Sequence, residues 1–241
     1  MSVMNKISAL SVPINYDKWD FLNLLSLSVG NAIAVQNRMG ELVIGNNGWN
    51  VDLRNGEIAF GDKSFKCGIL GTESHTSGTW LWGWAHTESG LPENAAAPSR
   101  RAKRTLSECE EFTTAKFALD ELHTGHNLSM AAVGAAEKNV CYYRCPYNDG
   151  ALFVQIEGMP GEVFEPLSAE AVIRQHMEII SAFYCDHRLL AAGMMHQNGF
   201  KVSEDMLADG VFSKITGERD GRTLRFEFEN VGGLFRTVSI S

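Results

Sequence analysis

The spacing of apolar residues predicts a helix near the start of the chain. Apolar positions recur at close to helical spacing between residues 17 and 39, at Leu24, Leu27, Val29, Ile33 and Val35. Either Asp17 or Asp20 can cap the first turn, and Gly40 stands where a helix is expected to stop. We therefore expect a helix of about residues 17 to 39 with one buried face.

The period then changes to two, which predicts an antiparallel hairpin. Apolar and polar residues alternate over Trp49–Leu53, and an Asn-Gly pair follows at positions 55 and 56. Both residues of that pair tolerate positive φ, as a type I′ turn requires. A two-residue turn there pairs Leu53 with Ile58 and Val51 with Phe60, so that both strands present apolar groups to the same face.

A helix followed by a hairpin is predicted three times along the chain. The three passages span about residues 17 to 61, 128 to 157 and 169 to 229, and the later two turn at Asp149–Gly150 and Asp220–Gly221. A further helix is expected from Pro98 to about Leu119, and the third passage carries a helical tail that runs to Gly199. The expected fold is α+β, with helices packed on one face of a curved antiparallel sheet.

Length and charge limit the classes of protein. At 241 residues the chain can form a single α+β domain, 1–241, with an alternative division near 120–127 into 1–120 and 128–241. The formal charge of -8 disfavours nucleic acid and anionic membranes as partners. No apolar run is long enough to span a membrane, and no secretory signal stands at the N-terminus. Five scattered cysteines fit free thiols in a reducing cytoplasm, so we expect a soluble cytoplasmic protein.

Three tryptophans at alternate positions form the most distinctive segment. Trp80, Trp82 and Trp84 share one face of a predicted strand, and small or apolar residues occupy the other face. Such rings can stack on a planar ligand or a sugar, and together with His86 they are the candidate ligand-binding residues. The alternative is that the rings belong to the core, and the apolar opposite face favours this alternative.

The same segment carries a resemblance. The run Gly71–Ser74 followed by Gly78–Ala85 resembles the signature of an uncharacterised bacterial family of unknown function. The resemblance also extends to the preceding hairpin and to the Ala-rich stretch Leu128–Ala136, and it implies no activity. The family pattern usually ends in Asn at the position of His86, which argues against His86 as an essential acid or base.

Histidines and cysteines offer a weak metal pattern. His123, His126, Cys141 and Cys145 stand in a roughly metal-like order. On an extended strand, however, the two thiols lie about 13 Å apart. We therefore predict no metal site, and the sequence indicates no cofactor, because the phosphate-cradling glycine loops of nucleotide-binding proteins are missing.

The sequence leaves several functions open. The aromatic segment and the lack of a catalytic pattern favour a non-enzymatic module that binds a small ligand or a protein partner. The alternative is a hydrolase-like enzyme whose histidine and carboxylate are brought together by the fold, for example at His86 or His187. A homo-oligomer with a buried helix surface is a third expectation.

Overall fold

The computed structural model describes residues 10–14, 16, 20–86, 90, 92–136, 139–206 and 210–241. The chain forms two compact units. The discontinuous unit comprises Met1–Ala34 and Pro166–Ser241, and the central unit comprises Val35–Glu165. The alternative boundary near 120–127 therefore falls inside the central unit.

The order of elements confirms an α+β protein with antiparallel sheets. The α-helices are α1 Phe21–Met39, α2 Ala97–Thr105, α3 Glu110–Thr113, α4 Gly125–Gly134, α5 Ala169–Ala182 and α6 His187–Gln197. The strands of the central unit are β1 Trp49–Asp52, β2 Glu57–Phe60, β3 Lys63–Ser74, β4 Thr79–Trp82, β5 Lys116–Ala118, β6 Val140–Tyr147 and β7 Gly150–Glu157. The strands of the discontinuous unit are β8 Lys201–Met206, β9 Phe212–Arg219, β10 Arg222–Val231 and β11 Leu234–Ile240.

Helix α1 begins at the cap that the sequence offers. The Asp20 carboxylate accepts a hydrogen bond from the backbone N–H of Asn23 at 2.9 Å, which satisfies a donor of the first turn. The alternative cap Asp17 lies outside the described residues. The helix ends at Met39 and continues as a π-helical turn, Gly40–Ile44.

The central unit is a seven-stranded antiparallel sheet with helices on both faces. Its strands follow the order β1-β2-β3-β4-β5, and β7 pairs with β3 and β6. Val154 and Ile156 pack with Val35 and Met39 from the end of α1 on one face. The opposite face carries Phe153, because neighbouring residues of a strand point to opposite sides, and α4 contacts the sheet there.

The first hairpin turns one position earlier in the chain than the sequence predicts. The predicted pairs of Leu53 with Ile58 and Val51 with Phe60 are wrong, because Val51 lies opposite Ile58 and Asp52 opposite Glu57. The Asp52 carboxylate accepts from the backbone N–H groups of residues 54 and 55 at 2.9 and 3.1 Å, which closes a four-residue loop. A shift of two residues keeps every side chain on its predicted face.

The predicted helix from Pro98 to Leu119 is broken in the structure. Helix α2 ends at Thr105, the short α3 follows, and Lys116–Ala118 form strand β5. Phe117 lies opposite Trp80 in that strand, so pairing with the tryptophan strand replaces the final helical turns. Tertiary pairing here overrides a weak local helix pattern.

The discontinuous unit packs α5 and α6 with a four-stranded antiparallel sheet of order β11-β10-β9-β8. Helices α1 and α6 approach closely because Gly193 lies against the backbone of Leu27 and Gly30 lies against Met194. The Asp220–Gly221 turn is confirmed, with positive φ at both residues. No helix among the described residues has both the length and the apolar content that a membrane crossing requires.

Candidate functional site

The structure places two of the three signature tryptophans in the core. Trp80 and Trp82 are 0% exposed, and their rings meet edge to face at 5.2 Å. Trp80 also packs on Phe153, and the Trp82 indole N–H donates to the Glu111 carbonyl at 2.7 Å. Complete burial leaves these two rings no surface to offer a ligand in this conformation, so their role is to support the sheet.

Trp84 and His86 lie beyond the end of the strand. Strand β4 stops at Trp82, and Trp84 lies in a single 3-10 turn, Gly83–Ala85, so it does not continue the predicted strand face. Lys103 Nζ lies 3.4 Å from the centre of the Trp84 ring. His86 Nε2 lies 3.2 Å from the Thr72 hydroxyl, and burial lowers the pKa of His86. Ligand contact by Trp84 and His86 stays a prediction.

The polar residues of the signature strand assemble a different site. Glu73 is the cross-strand neighbour of Trp80, and its side chain is only 11% exposed. Arg144 of β6 donates to one carboxylate oxygen, Oε1, through Nε at 3.0 Å and through Nη2 at 2.8 Å. His75 Nε2 lies 3.3 Å from the same oxygen. A buried carboxylate thus fixes the orientation of the Arg144 guanidinium, and the Arg144 side chain as a whole is 30% exposed.

His126 completes this group from the first turn of α4. Its Nδ1 lies 3.0 Å from the hydroxyl of buried Tyr142, and its ring meets Phe153 edge to face at 5.4 Å. Helix α4 reaches this close because its first residue is glycine. A Cβ at Gly125 would lie 2.5 Å from the Phe153 ring and 2.7 Å from Glu73 Oε2. We call this group, Glu73, His75, His126, Tyr142 and Arg144, the Glu73 cluster.

The electrostatics of the Glu73 cluster fix the protonation of His126. Partial desolvation of the His126 ring, followed by the positive charge of Arg144, lowers the pKa of His126, although the residue as a whole is solvent-exposed. Burial raises the pKa of Tyr142. Both groups are therefore neutral at pH 7. Because a buried hydroxyl that fails to donate is costly, and His126 Nδ1 is the only partner of the Tyr142 hydroxyl among the described residues, Tyr142 donates to it. His126 then carries its proton on Nε2, as a donor.

The four residues of the metal pattern do not meet. His123 lies between two carboxylates, with Nδ1 2.9 Å from Asp120 and Nε2 3.2 Å from Glu111. His126 pairs with Tyr142, whereas Cys141 and Cys145 lie in the core on the opposite face of the sheet. Across the part of the chain that the structure describes, no group of three or more histidine, cysteine, aspartate or glutamate side chains could hold a metal ion.

The discontinuous unit contains a cavity of about 470 Å³. Arg188 in its wall forms a 2.6 Å ion pair with Glu204, and both side chains are almost fully buried. The Asp186 carboxylate, also in the wall, accepts from the backbone N–H groups of Leu189 and Phe235 at 2.9 Å each. Because Arg188 and Asp186 are already paired within the protein, we interpret these two wall residues as structural.

In a comparison with protein-family models, the model of the "Family of unknown function (DUF6882)" matches residues 23–159. This span is more than half of the chain. The chain belongs to that family. The DUF6882 region contains the whole Glu73 cluster, whereas the cavity of the discontinuous unit is lined mostly by residues outside it. No curated protein and no solved structure matches the chain significantly.

Sequence reasoning missed most of the Glu73 cluster within the DUF6882 region. Glu73 stands in the signature next to the more conspicuous tryptophans, and the sequence pattern marks His126 only as a possible metal ligand. Arg144 and Tyr142 carry no local motif, because strand pairing alone brings them beside Glu73. The alternation of β6 was the available signal, since it places both residues on one face of that strand.

Proposed function

We propose that this chain is a ligand-binding protein and that the Glu73 cluster holds the anionic group, a carboxylate or a phosphate, of a small molecule. The observation that carries the proposal is the fixed guanidinium of Arg144. Glu73 holds Nε and Nη2, whereas Nη1 has no protein partner among the described residues. Since its orientation is set in advance, this arginine loses less conformational entropy when it binds.

Neighbouring donors support the same ligand chemistry. The Nε2–H group of His126 has no protein partner within the described ranges, and His126 is solvent-exposed. It lies in the first turn of α4, where the positive end of the helix dipole favours an anion. The net charge of -8 does not attract anions at long range. The preference for an anionic ligand must therefore come from these local hydrogen-bond donors.

A titration followed by NMR tests this proposal. Sodium phosphate and sodium acetate are added separately to the full chain at constant ionic strength, with sodium chloride as the reference. We expect saturable shifts of the Gly125 and His126 amides. Arg144→Gln should weaken the apparent affinity at least tenfold, because a charge-assisted hydrogen bond is lost. The control Arg54→Gln removes an exposed arginine from a loop of the same unit and should change nothing. Equal affinity in wild type and Arg144→Gln contradicts the proposal.

Hydrolase-like activity is the second candidate, and one observation favours it. An uncharged imidazole, His126, lies close enough to Arg144 for the guanidinium to lower its pKa. General-base action requires the less stable tautomer, in which His126 Nδ1–H donates to Tyr142 and the Tyr142 hydroxyl gives up its own donated hydrogen bond. In that tautomer Nε2 can take a proton from a water that attacks an ester. Turnover of p-nitrophenyl acetate or p-nitrophenyl phosphate that disappears in His126→Gln supports this activity. Equal rates in both proteins exclude it.

We also propose a cytoplasmic location and leave open a protein partner or a homo-oligomer. All five cysteines carry free thiols, and four of them are buried, which suits a reducing compartment. Light scattering of the purified chain gives the oligomeric state directly.

A further inference from the structure

A second polar group lies in the discontinuous unit, where α6 begins beside β11. His187, the first residue of α6, is 8% exposed. Its Nδ1 accepts the backbone N–H of Thr237 at 3.0 Å. Its Nε2 lies 3.1 Å from Nη1 of Arg236. Both ring nitrogens of His187 therefore face a hydrogen-bond donor.

A neutral imidazole cannot satisfy both of these donors. It has one nitrogen with a lone pair and one that carries a proton. With Nδ1 accepting from Thr237, the proton is on Nε2 and points at the Arg236 guanidinium. In the other tautomer Nδ1–H can donate to the Thr237 hydroxyl and Nε2 accepts from Arg236, but the backbone N–H of Thr237 then loses its acceptor. A protonated ring makes the contacts with both donors unfavourable. Each form of His187 leaves a donor facing a donor, in a place where an unmet donor is costly.

Among the described residues, the Thr237 hydroxyl can accept a hydrogen bond from His187 Nδ1 at 3.2 Å, but no neighbouring acceptor is available to an Nε2–H group. The Thr237 hydroxyl lies 2.9 Å from His176 Nε2, and the other ring nitrogen of fully buried His176 has no partner among the described residues. Arg236 Nη1 donates one hydrogen bond to the Cys185 carbonyl at 3.0 Å. Its Nε and Nη2 groups have no protein partner within the described part of the chain.

Arg236 and Asp186 carry opposite charges that both act on His187, so the preference for an anion comes from directed donors rather than from net charge. Both oxygens of the Asp186 carboxylate are engaged by backbone N–H groups of Leu189 and Phe235. Burial raises the pKa of Cys185 to about 12, so that thiol is neutral. The positive groups left to face a ligand are the Arg236 guanidinium and the N-terminal end of α6. The guanidinium is flanked by the ring of Tyr184, which is 63% exposed. The side of Arg236 away from the core is thus accessible.

We propose that Arg236 and His187 bind an oxyanion, a phosphate group or a carboxylate. One oxygen of the anion accepts from Arg236 Nη1 and from His187 Nε2–H, which removes the donor conflict. The site is separate from the Glu73 cluster in sequence and in structural unit. The proposal for Arg236 and His187 therefore does not depend on the function proposed for the Glu73 cluster.

Long-range ¹H–¹⁵N NMR of the histidine rings in the full chain tests the site. Sodium phosphate and sodium acetate are titrated separately at constant ionic strength against sodium chloride, and the two arms distinguish the two sources of oxyanion. We expect the Nε2–H tautomer of His187 and a saturable shift of its Nε2 resonance. Arg236→Gln should lower the apparent affinity at least tenfold, and Arg236→Lys, which keeps the charge, should lower it less.

Arg222→Gln is the matched control, because Arg222 is an exposed arginine on the same sheet. It should bind like the wild type. The wild-type titration stands alone if Arg236→Gln fails to fold. A His187 resonance that neither anion changes means that water alone fills the position, and this overturns the proposal. An Nδ1–H tautomer, or an unchanged response in folded Arg236→Gln, overturns it as well.

Discussion

Replacing Glu73 with Gln tests whether this carboxylate holds Arg144 in place. The substitution keeps the shape of the side chain but removes its charge. The amide oxygen of Gln can still accept a hydrogen bond, whereas its NH₂ group repels the guanidinium. Arg144 should then lose its fixed orientation, and the central unit should lose stability.

The magnitude follows from the exposure of the two side chains. Breaking a fully buried ion pair costs about 3–5 kcal/mol, whereas an exposed pair contributes about 0–1 kcal/mol. Glu73 is 11% exposed and Arg144 is 30% exposed, so this pair is intermediate. We expect a loss of about 2 kcal/mol in the free energy of unfolding. For a chain of this length, that corresponds to a fall of roughly 4–8 °C in Tm.

Urea unfolding followed by tryptophan fluorescence is the appropriate assay, because four of the five tryptophans lie in the central unit. Glu41→Gln, at an exposed position of the same unit, is the control and should lie within about 0.5 kcal/mol of the wild type. The double variant Glu73→Gln/Arg144→Gln should be more stable than the sum of the single effects predicts. A Glu73→Gln variant as stable as the control, or strict additivity, refutes the reasoning.

Three further predictions concern other contacts. Gly125→Ala forces a Cβ into the Phe153 ring and should cost about 1–3 kcal/mol in unfolding experiments, whereas Gly161→Ala, with open space around it, should be nearly neutral. Burial lowers the pKa of His176 to about 3, so below about pH 6.5 the unfolded state binds more protons than the folded state. The free energy of unfolding should therefore fall by up to about 1.4 kcal/mol for each unit by which the pH is lowered from about 6.5 towards about 3. His176→Gln should flatten this pH dependence in unfolding experiments. A thiol reagent at pH 7 should label native protein slowly, at Cys67 first, because burial raises its pKa to about 12 and the other four cysteines are more deeply buried; fast labelling of all five contradicts this.

Local patterns were sufficient where one segment determines its own structure. The Asp20 cap and the Asp220–Gly221 turn depend on neighbouring residues, and each stands where the sequence places it. The first hairpin differs because the Asp52 carboxylate closes a wider loop, and turn chemistry of this kind competes closely with the Asn-Gly signal.

The candidate site could not be predicted in the same way, because it depends on strand pairing between distant residues. Glu73 and Arg144 are 71 positions apart and meet only through β7, which pairs with both of their strands. The tryptophans are candidate site residues by residue type alone, because their rings can stack on a ligand. Their burial was the favoured alternative from the apolar opposite face, and the structure confirms it for Trp80 and Trp82.

A crystal structure of the full chain grown in phosphate is the most direct test of the central claim. We predict a bound anion within hydrogen-bond distance of Arg144 Nη1 and His126 Nε2, with the contacts of Glu73 to Arg144 unchanged. An unoccupied Glu73 cluster together with a ligand seated on Trp84 and His86 would contradict the account.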